Sequence, residues 1–487
     1  MNLSPPNFDF IREWLPTVSQ HFLMGSLCVL FYVITTRLRR EQRMPSTAIA
    51  WVMGLALLPY VVLPMYLLFG RRKLRPESLT RLGPGRPDGH WADDLLQSMG
   101  LAPAGWSGTV QMQGDGAAAQ QALWSLIAQA QHRLDVCTFI IGNDDFGQDI
   151  VSRLAQRARD GLSVRVLLDG FGALTLPRRY LRTLRRAGCE VVIFRPFFSL
   201  RESGPRNLRN HRKLVVADDR WLWSGGRNLA GEYFEGKHAS SGEQPWRDIS
   251  FVLDGAAARA AAAQFEKDWA SVRQRPLREI PPDPNAGLWP EGPDGRPAVT
   301  LASATGLPAP SRAQFLPSGP DQLEDTAHAL LLDACFRAES RILAITPYFL
   351  PDDSLRNALR LASRRGVDVT IVIPATSNHR LADFVRTRAM RDLAGAGVHF
   401  RLLPFMAHAK AVVVDDTLAL CGSINLDLRS LLLNHEASVV FYSRCEIDWL
   451  AVWIARTAAD APVWQPRRPG LLRDICEGLV LAVAFQL

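Results

Sequence analysis

Lysine is nearly absent from this chain. Of its 56 lysines and arginines five are lysines, leaving 51 arginines among 487 residues. Cysteine is scarce as well: there are seven, an odd number, scattered without paired spacing. That excludes a disulfide framework and fits reduced thiols inside a cell. There is no H-E-x-x-H, no C-x-x-C and no group of carboxylates at ligand spacing, so no metal and no other cofactor is expected.

Two of the five lysines sit in matching frames. His211-Arg212-Lys213 is followed by Asp218, and His408-Ala409-Lys410 by Asp415, at the same spacing. Each frame then runs into a glycine turn and an asparagine, Gly225-Gly226-Arg227-Asn228 and Gly422-Ser423-Ile424-Asn425. A compact ammonium, kept where arginine is otherwise the rule, can nest beside a phosphoryl oxygen. The residues after each lysine are apolar and β-branched, which predicts buried strands. Side chains two apart on a strand share a face, so each His and Lys point into one pocket. Two such strands together supply two imidazoles, two ammoniums and two amides around a small volume. That set suits a phosphodiester. Lys213, Lys410, Asn228 and Asn425 would stabilise the non-bridging oxygens. One imidazole would attack phosphorus and the other protonate the leaving oxygen. His21, His90, His132, His238, His328, His379 and His399 lack such company and read as structural; His435, beside an acid, stays open.

The duplicated frame resembles the signature of the phospholipase D superfamily. Within it the chain is similar to bacterial cardiolipin synthases. "GSINLDLRSLLLNHE" (422–436), "TPYFLPDD" (346–353), "PSGPD" (317–321) and "WRDISF" (246–251) carry the resemblance, as does the apolar "AWVMGLALLPYVVLPMYLLFGRRKLR" near the N-terminus. Gly226 stands where many superfamily members have serine, and matches the narrower family. The resemblance implies that Asp248 and Glu436 each orient one imidazole; which acid serves which is open. It implies His211 as nucleophile and His408 as acid, then base, with Asp218 and Asp415 completing the catalytic frames in a mainly structural role.

The duplication is wider than the frames. Residues 133–170 parallel 341–375, each reading strand, loop, helix ending at Gly161 or Gly366, strand. This predicts an α/β fold of two similar halves with mostly parallel sheets, preceded by an N-terminal membrane hairpin. The expected boundaries are a hairpin over 1–75, a linker over 76–116, a first half over 117–285, a linker over 286–310, a second half over 311–468 and an apolar tail over 469–487. About a dozen extra residues, 198–209, precede His211 in the first half and form a surface insertion that could shape a substrate entrance.

Phe22–Thr36, extended back to Val18, has the length of a bilayer span, and Thr47–Phe69 is longer. Pro59 and Pro64 should kink or break the second, permitting a re-entrant course. Arginines at 37, 39, 40 and 43 and the basic run from Arg71 to Arg86 both favour the cytoplasm, a conflict for a true hairpin. The larger positive count puts the catalytic halves in the cytoplasm, on the inner membrane of a bacterium in a multi-pass arrangement. A net charge of +8 suits an anionic membrane surface. It would equally suit nucleic acid, but the apolar segments argue against that partner. The tail would dock on the core or lie in the interface.

The implied activity is transfer of a phosphatidyl group between two phosphatidylglycerols, giving cardiolipin and glycerol. A hydrolase using water, or a transferase with another donor or acceptor such as phosphatidylethanolamine, would use the same residues. A non-catalytic scaffold would be expected to have lost part of one frame, and both are complete. Oligomeric state leaves no signal in the sequence.

Overall fold

A computed structural model describes residues 17–39, 45–70, 72–73, 90–196, 207–234, 245–273, 276–281, 310–471, 473–474 and 476–478. The chain forms two compact units, Met1–Arg75 with Ser203–Asn207 and Pro76–Glu202 with Leu208–Leu487. The expected linker over 286–310, most of the basic connector, the run over 74–86 and most of the insertion before His211 lie outside the described residues.

In the first unit, α1 (Val18–Arg39) is the one described helix long and apolar enough to cross a membrane, with a mean hydropathy of 1.5 over Val18–Leu38. Phe22, Leu23, Leu27 and Leu30 are exposed on it. The second apolar stretch is not one span. It breaks at Leu58 into α2 (Pro45–Leu57) and α3 (Pro59–Phe69). Pro59 has no amide hydrogen to continue the ladder, and the residue before a proline is pushed out of the helical region, as Leu58 is at φ −133°. The polypeptide folds back: Tyr66 meets Tyr32 and Trp51 at ring separations of 5.3 Å, and its hydroxyl bonds the Thr35 hydroxyl at 2.9 Å. Gly25 permits this closeness, since a Cβ there would lie 2.9 Å from the Ala56 carbonyl oxygen.

The second unit holds both halves. β1 (Gly105–Ser107) and β2 (Val110–Gln113) open it. The first half supplies β3 (Arg133–Thr138), β4 (Ser163–Asp169), β5 (Glu190–Phe194), β6 (Leu214–Ala217), β7 (Trp221–Gly225) and β8 (Ser250–Asp254). The second supplies β9 (Ser311–Ser318), β10 (Arg341–Ile345), β11 (Phe349–Leu350), β12 (Asp368–Pro374), β13 (His399–Leu403), β14 (Ala411–Val414), β15 (Leu418–Gly422), β16 (Leu426–Asp427) and β17 (Glu436–Phe441). Their sheets run β2-β8-β7-β6-β3-β4-β5 and β1-β9-β17-β15-β14-β10-β12-β13, with β11 paired to β16 apart.

The two large sheets are mixed, which corrects the expectation of mostly parallel pairing. Within them only β3-β4-β5 and β10-β12-β13 are parallel. Each frame strand turns straight back into its neighbour, β6 into β7 and β14 into β15, and a tight turn can join only antiparallel strands. The helices between parallel strands end as expected, with Gly161 and Gly366 both at φ +97°, a conformation that favours glycine.

The expected linker over 76–116 is also corrected. Residues 91–98 are helical, β1 pairs with β9 of the second half, and β2 pairs with β8 of the first. This segment therefore stitches the halves together. One core spans both: Phe251, Leu253 and Phe265 pack with Phe315, Ala411, Phe441 and Leu450, and the Phe251 and Phe441 rings meet edge-on at 5.4 Å. The helix Ala256–Arg273 fits between the sheets by presenting Ala257, Ala258, Ala261 and Ala262. The described part of the tail docks on the helix Arg380–Ala394: buried Glu477 pairs with Arg391 and accepts from Thr387 at 2.9 Å.

Candidate active site

The two halves meet at their frames. His211 N–H donates to the His435 carbonyl at 2.8 Å, and His435 N–H to the Arg209 carbonyl at 2.8 Å. The related crossing joins His408 N–H to the Arg247 carbonyl at 2.7 Å and Arg247 N–H to the Met406 carbonyl at 3.0 Å. Each frame histidine is thus held through its backbone by the other half, by the residue before that half's acid.

The acids follow the same crossing. His211 Nδ1 lies 3.0 Å from both Glu436 carboxylate oxygens, and His408 Nδ1 lies 2.7 Å from Asp248 Oδ2. Each half orients the other's imidazole, which resolves what the sequence left open. Both carboxylates are fully buried. Burial pushes the Glu436 carboxyl up, but His211 and Lys213 outweigh it and hold it below its ordinary value. Asp248 is likewise pushed up by burial and held down by His408 and Lys410. Two anionic acceptors therefore fix both rings with Nδ1 protonated. Aromatic rings complete the setting: Phe139 meets His211 edge-on at 5.1 Å, and around His408 Tyr233 lies edge-on at 4.9 Å and Trp246 stacks at 5.7 Å.

Gly226 and Ser423 occupy matching places in the two turns. Ser423 donates to Glu436 Oε2 at 2.5 Å. A Cβ on Gly226 would lie 2.2 Å from Asp248 Oδ1. The shorter acid draws its carboxylate against the turn, so a serine has no room there. This gives a physical cause for the departure from serine.

Lys213 and Lys410 are buried. Lys213 Nζ donates to the His211 carbonyl at 2.8 Å; Lys410 Nζ donates to the His408 carbonyl and lies against the His408 ring, 2.7 Å from Nδ1 and 2.9 Å from Nε2. Burial lowers the Lys213 ammonium to about 8, and burial and Lys213 lower Lys410 to about 7. Burial and Lys410 take His408 down to about 3, and burial lowers His211. Asn228 Nδ2 donates to the Tyr233 hydroxyl at 2.8 Å and Asn425 Nδ2 to the Ser430 hydroxyl at 3.1 Å, leaving both amide oxygens buried without a hydrogen bond. Cations packed this closely in a dry site destabilise one another, and an anion would relieve them all.

Asp218 and Asp415 are not brought to the imidazoles. They end β6 and β14, at φ +55° and +49°. Asp218 accepts from the backbone of Gln131, His132 and Arg133 at 2.8 Å, and Asp415 from Glu339, Ser340 and Arg341 at 2.8 to 2.9 Å. Each carboxylate pins a hairpin to the start of a neighbouring strand. A cavity of about 1150 Å³ lined by Gln111, Gln129, Asp218 and Trp221 touches neither imidazole, so the buried ionic set rather than cavity size marks the site.

Residues 123–269 and 331–457 match the family described as cardiolipin synthase, phospholipase D-like domain, and residues 27–71 match a phospholipase D-nuclease N-terminal family. The first match alone spans more than half the chain. The chain belongs to the cardiolipin synthase family. It is 32% identical to cardiolipin synthase A of Pseudomonas putida (strain W619) over 448 residues, 87% of each protein. It is 32% identical to cardiolipin synthase 1 of Bacillus cereus, covering 82% of this chain and 81% of that one. Phosphatidylserine synthase of Haemophilus influenzae Rd KW20 shares the fold, with a TM-score of 0.58 at 15% identity, over 81% of this chain and all of that one. The chain is therefore a phosphatidyltransferase of the phospholipase D superfamily, in a membrane-associated family, with one helix among the described residues, near the N-terminus, long and apolar enough to cross a membrane.

The aromatic neighbours of the imidazoles were not singled out from sequence, although Trp246 opens the quoted "WRDISF". Arg212 and Asp321 were also missed. Arg212 Nε donates to the Glu436 carbonyl at 3.0 Å, and its guanidinium pairs with Asp268 and, at 2.8 Å, with Asp321. Asp321 closes the quoted "PSGPD", and the His435 imidazole lies 3.0 Å from it, so His435 belongs to this buried network.

The lysines predict opposite trends for activity and stability. kcat/KM reports the free enzyme. It should fall as pH rises through about 7 to 8, where Lys410 and Lys213 lose their protons. Above that range the unfolded chain binds more lysine protons than the folded one, up to the ordinary value of 10.5, so these groups make stability rise with pH there. A pH–rate profile paired with denaturant titrations tests this. Activity that holds flat to pH 10 would refute the assignment of both ammoniums.

Proposed function

We propose that the protein joins two phosphatidylglycerols into cardiolipin and glycerol through a phosphohistidine. The observation that carries this reading is the crossed pair of acid–imidazole contacts around two depressed lysines, a dry cationic centre made for one phosphodiester. His211 is the nucleophile. Its Nε2 makes no hydrogen bond among the described residues, whereas the Lys410 ammonium crowds the His408 ring, 2.7 Å from Nδ1 and 2.9 Å from Nε2. His211 Nε2 forms a bond to phosphorus while the bond to the glycerol oxygen breaks. His408, protonated once the phosphate anion is present, gives its proton to that oxygen. It then takes the proton of the incoming hydroxyl, which displaces His211. Lys213, Lys410 and the amides of Asn228 and Asn425, turned toward the phosphate, hold the charge on its oxygens.

The setting is the inner membrane of a bacterium, with the catalytic halves in the cytoplasm and both apolar stretches in the bilayer, the second as a re-entrant pair of short helices. Irregular backbone at that depth needs partners, and at the Leu58 break the His21 ring of α1 reaches the Leu57 carbonyl at 3.2 Å. Holding lipid alcohols near the phosphohistidine and keeping water scarce favours transfer over hydrolysis. Vesicles of phosphatidylglycerol alone should give cardiolipin and free glycerol in equal amounts, read by mass spectrometry. Phosphatidic acid as the main product would make the enzyme a hydrolase. Cardiolipin formed only when phosphatidylethanolamine is added would keep the mechanism and change the acceptor.

A further inference from the structure

The helix Arg178–Arg186 carries five arginines in nine residues, at 178, 179, 182, 185 and 186. It buries Tyr180 and Leu184 and leaves all five arginines outside the core. Arg179 donates to the Asn143 side chain at 3.1 Å; none of the five pairs with a carboxylate among the described residues. Immediately before the helix, Phe171 is 53% and Leu174 49% exposed.

The equivalent helix of the second half is treated differently. On Arg380–Ala394, Arg386 pairs with Asp383 at 2.9 Å, Arg391 with Glu477 from the tail, and Asp392 with Arg356 at 3.3 Å. One half thus has its helix partly neutralised, and partly covered by the chain's own C-terminal segment. The other leaves it bare and cationic, next to exposed apolar side chains.

The bare face adjoins the site. The Phe171 ring stacks on Phe139 at 6.3 Å, and Phe139 meets the His211 ring at 5.1 Å. We infer that the Arg178–Arg186 helix with Phe171 and Leu174 is a docking face for an anionic lipid bilayer, which delivers the phosphodiester to His211. Arginines beside apolar groups match a surface with phosphate at the headgroups and hydrocarbon just below. Nucleic acid would match the arginines and leave Phe171 and Leu174 unexplained. The chain's own apolar helix keeps it tethered to a bilayer, so the face needs only modest affinity. This rests on the reading that the substrate phosphate comes from membrane lipid.

The test uses the full chain reconstituted in vesicles, with Cys445→Ser and Cys476→Ser removing the thiols that are not buried. Leu174→Cys carries a bimane label, and the vesicles contain phosphatidylglycerol with brominated acyl chains. The label should be quenched, and quenching should disappear when the five arginines are changed to glutamine. That quintuple variant should lose at least about tenfold in turnover on vesicles while turnover in detergent micelles stays within about twofold. A label at Leu27→Cys in the apolar helix reports insertion. Quenching at 27 without quenching at 174 overturns the docking face, as does equal loss of turnover in vesicles and micelles. Protection of the 174 label by a DNA oligonucleotide but not by vesicles would make it a nucleic-acid surface and also overturn it. Quenching at 174 upholds the face even if the native enzyme makes no cardiolipin, a result that would count against the substrate alone.

Discussion

His211→Ala and His408→Ala are each expected to lower turnover by about ten-thousandfold or more, with the fold intact. Neither loss can be shared. The carboxylates beside the rings, Glu436 and Asp248, are both committed to the Nδ1 side, and the two lysines are needed as ammoniums on the phosphate oxygens. The two variants should also fail differently. Without His211 no phosphorus–nitrogen bond forms. Without His408 attack is slowed at the leaving step and, once past it, the acceptor hydroxyl has no base. Intact-protein mass spectrometry of His408→Asn with phosphatidylglycerol should therefore find an added phosphatidyl mass that His211→Asn lacks. The reverse pattern would exchange the roles. A residual activity above about a hundredth of native in either variant would sink the two-histidine mechanism, since general acid–base catalysis alone is worth about that much.

The frames were legible because their spacing recurs and because lysine is rare elsewhere. The internal repeat was legible too, since its helices end at glycines that the backbone requires. What remained hidden depends on how the halves meet. No local pattern states that Glu436 reaches His211 and Asp248 reaches His408; the crossing follows from backbone bonds between His211 and His435, and between His408 and Arg247. Parallel pairing was over-read for a related reason. Alternating strands and helices describe β3 to β5 well but are blind to the hairpins that carry the frames. The segment 105–113 is polar and short, and its strands exist only because two sheet edges are there to receive them. Gly226 was legible as a departure, and its cause needed the position of Asp248. The break in Thr47–Phe69 was legible at Pro59, whereas Pro64, equally visible, sits inside the unbroken helix Pro59–Phe69.

Replacing Arg212 by methionine should cost about 3 to 5 kcal/mol of folding stability, the scale for removing one partner of a buried ionic group. Arg212 is wholly buried, and its guanidinium lies between Asp268 and Asp321 while its Nε holds the Glu436 carbonyl. Burial alone would push the Asp321 carboxyl up; Arg212 and His435 instead hold it well below its ordinary value. A carboxyl depressed in the folded state lends stability above its unfolded value, about 4, and loses it as pH falls through the folded one. In Arg212→Met that support is gone, and the stranded Asp321 carboxyl should take up a proton. The native protein's advantage over the variant should therefore be large at pH 7 and smaller at pH 5, as read from denaturant midpoints. The loss also reaches the chemistry, because the Glu436 backbone is no longer fixed where its carboxylate orients His211. Arg212→Lys separates the two effects: it restores a charge but not the fork that binds two carboxylates and a carbonyl at once. It should recover more stability than turnover. A methionine variant within about 1 kcal/mol of native at pH 7 would show that the two carboxylates do not need the guanidinium between them.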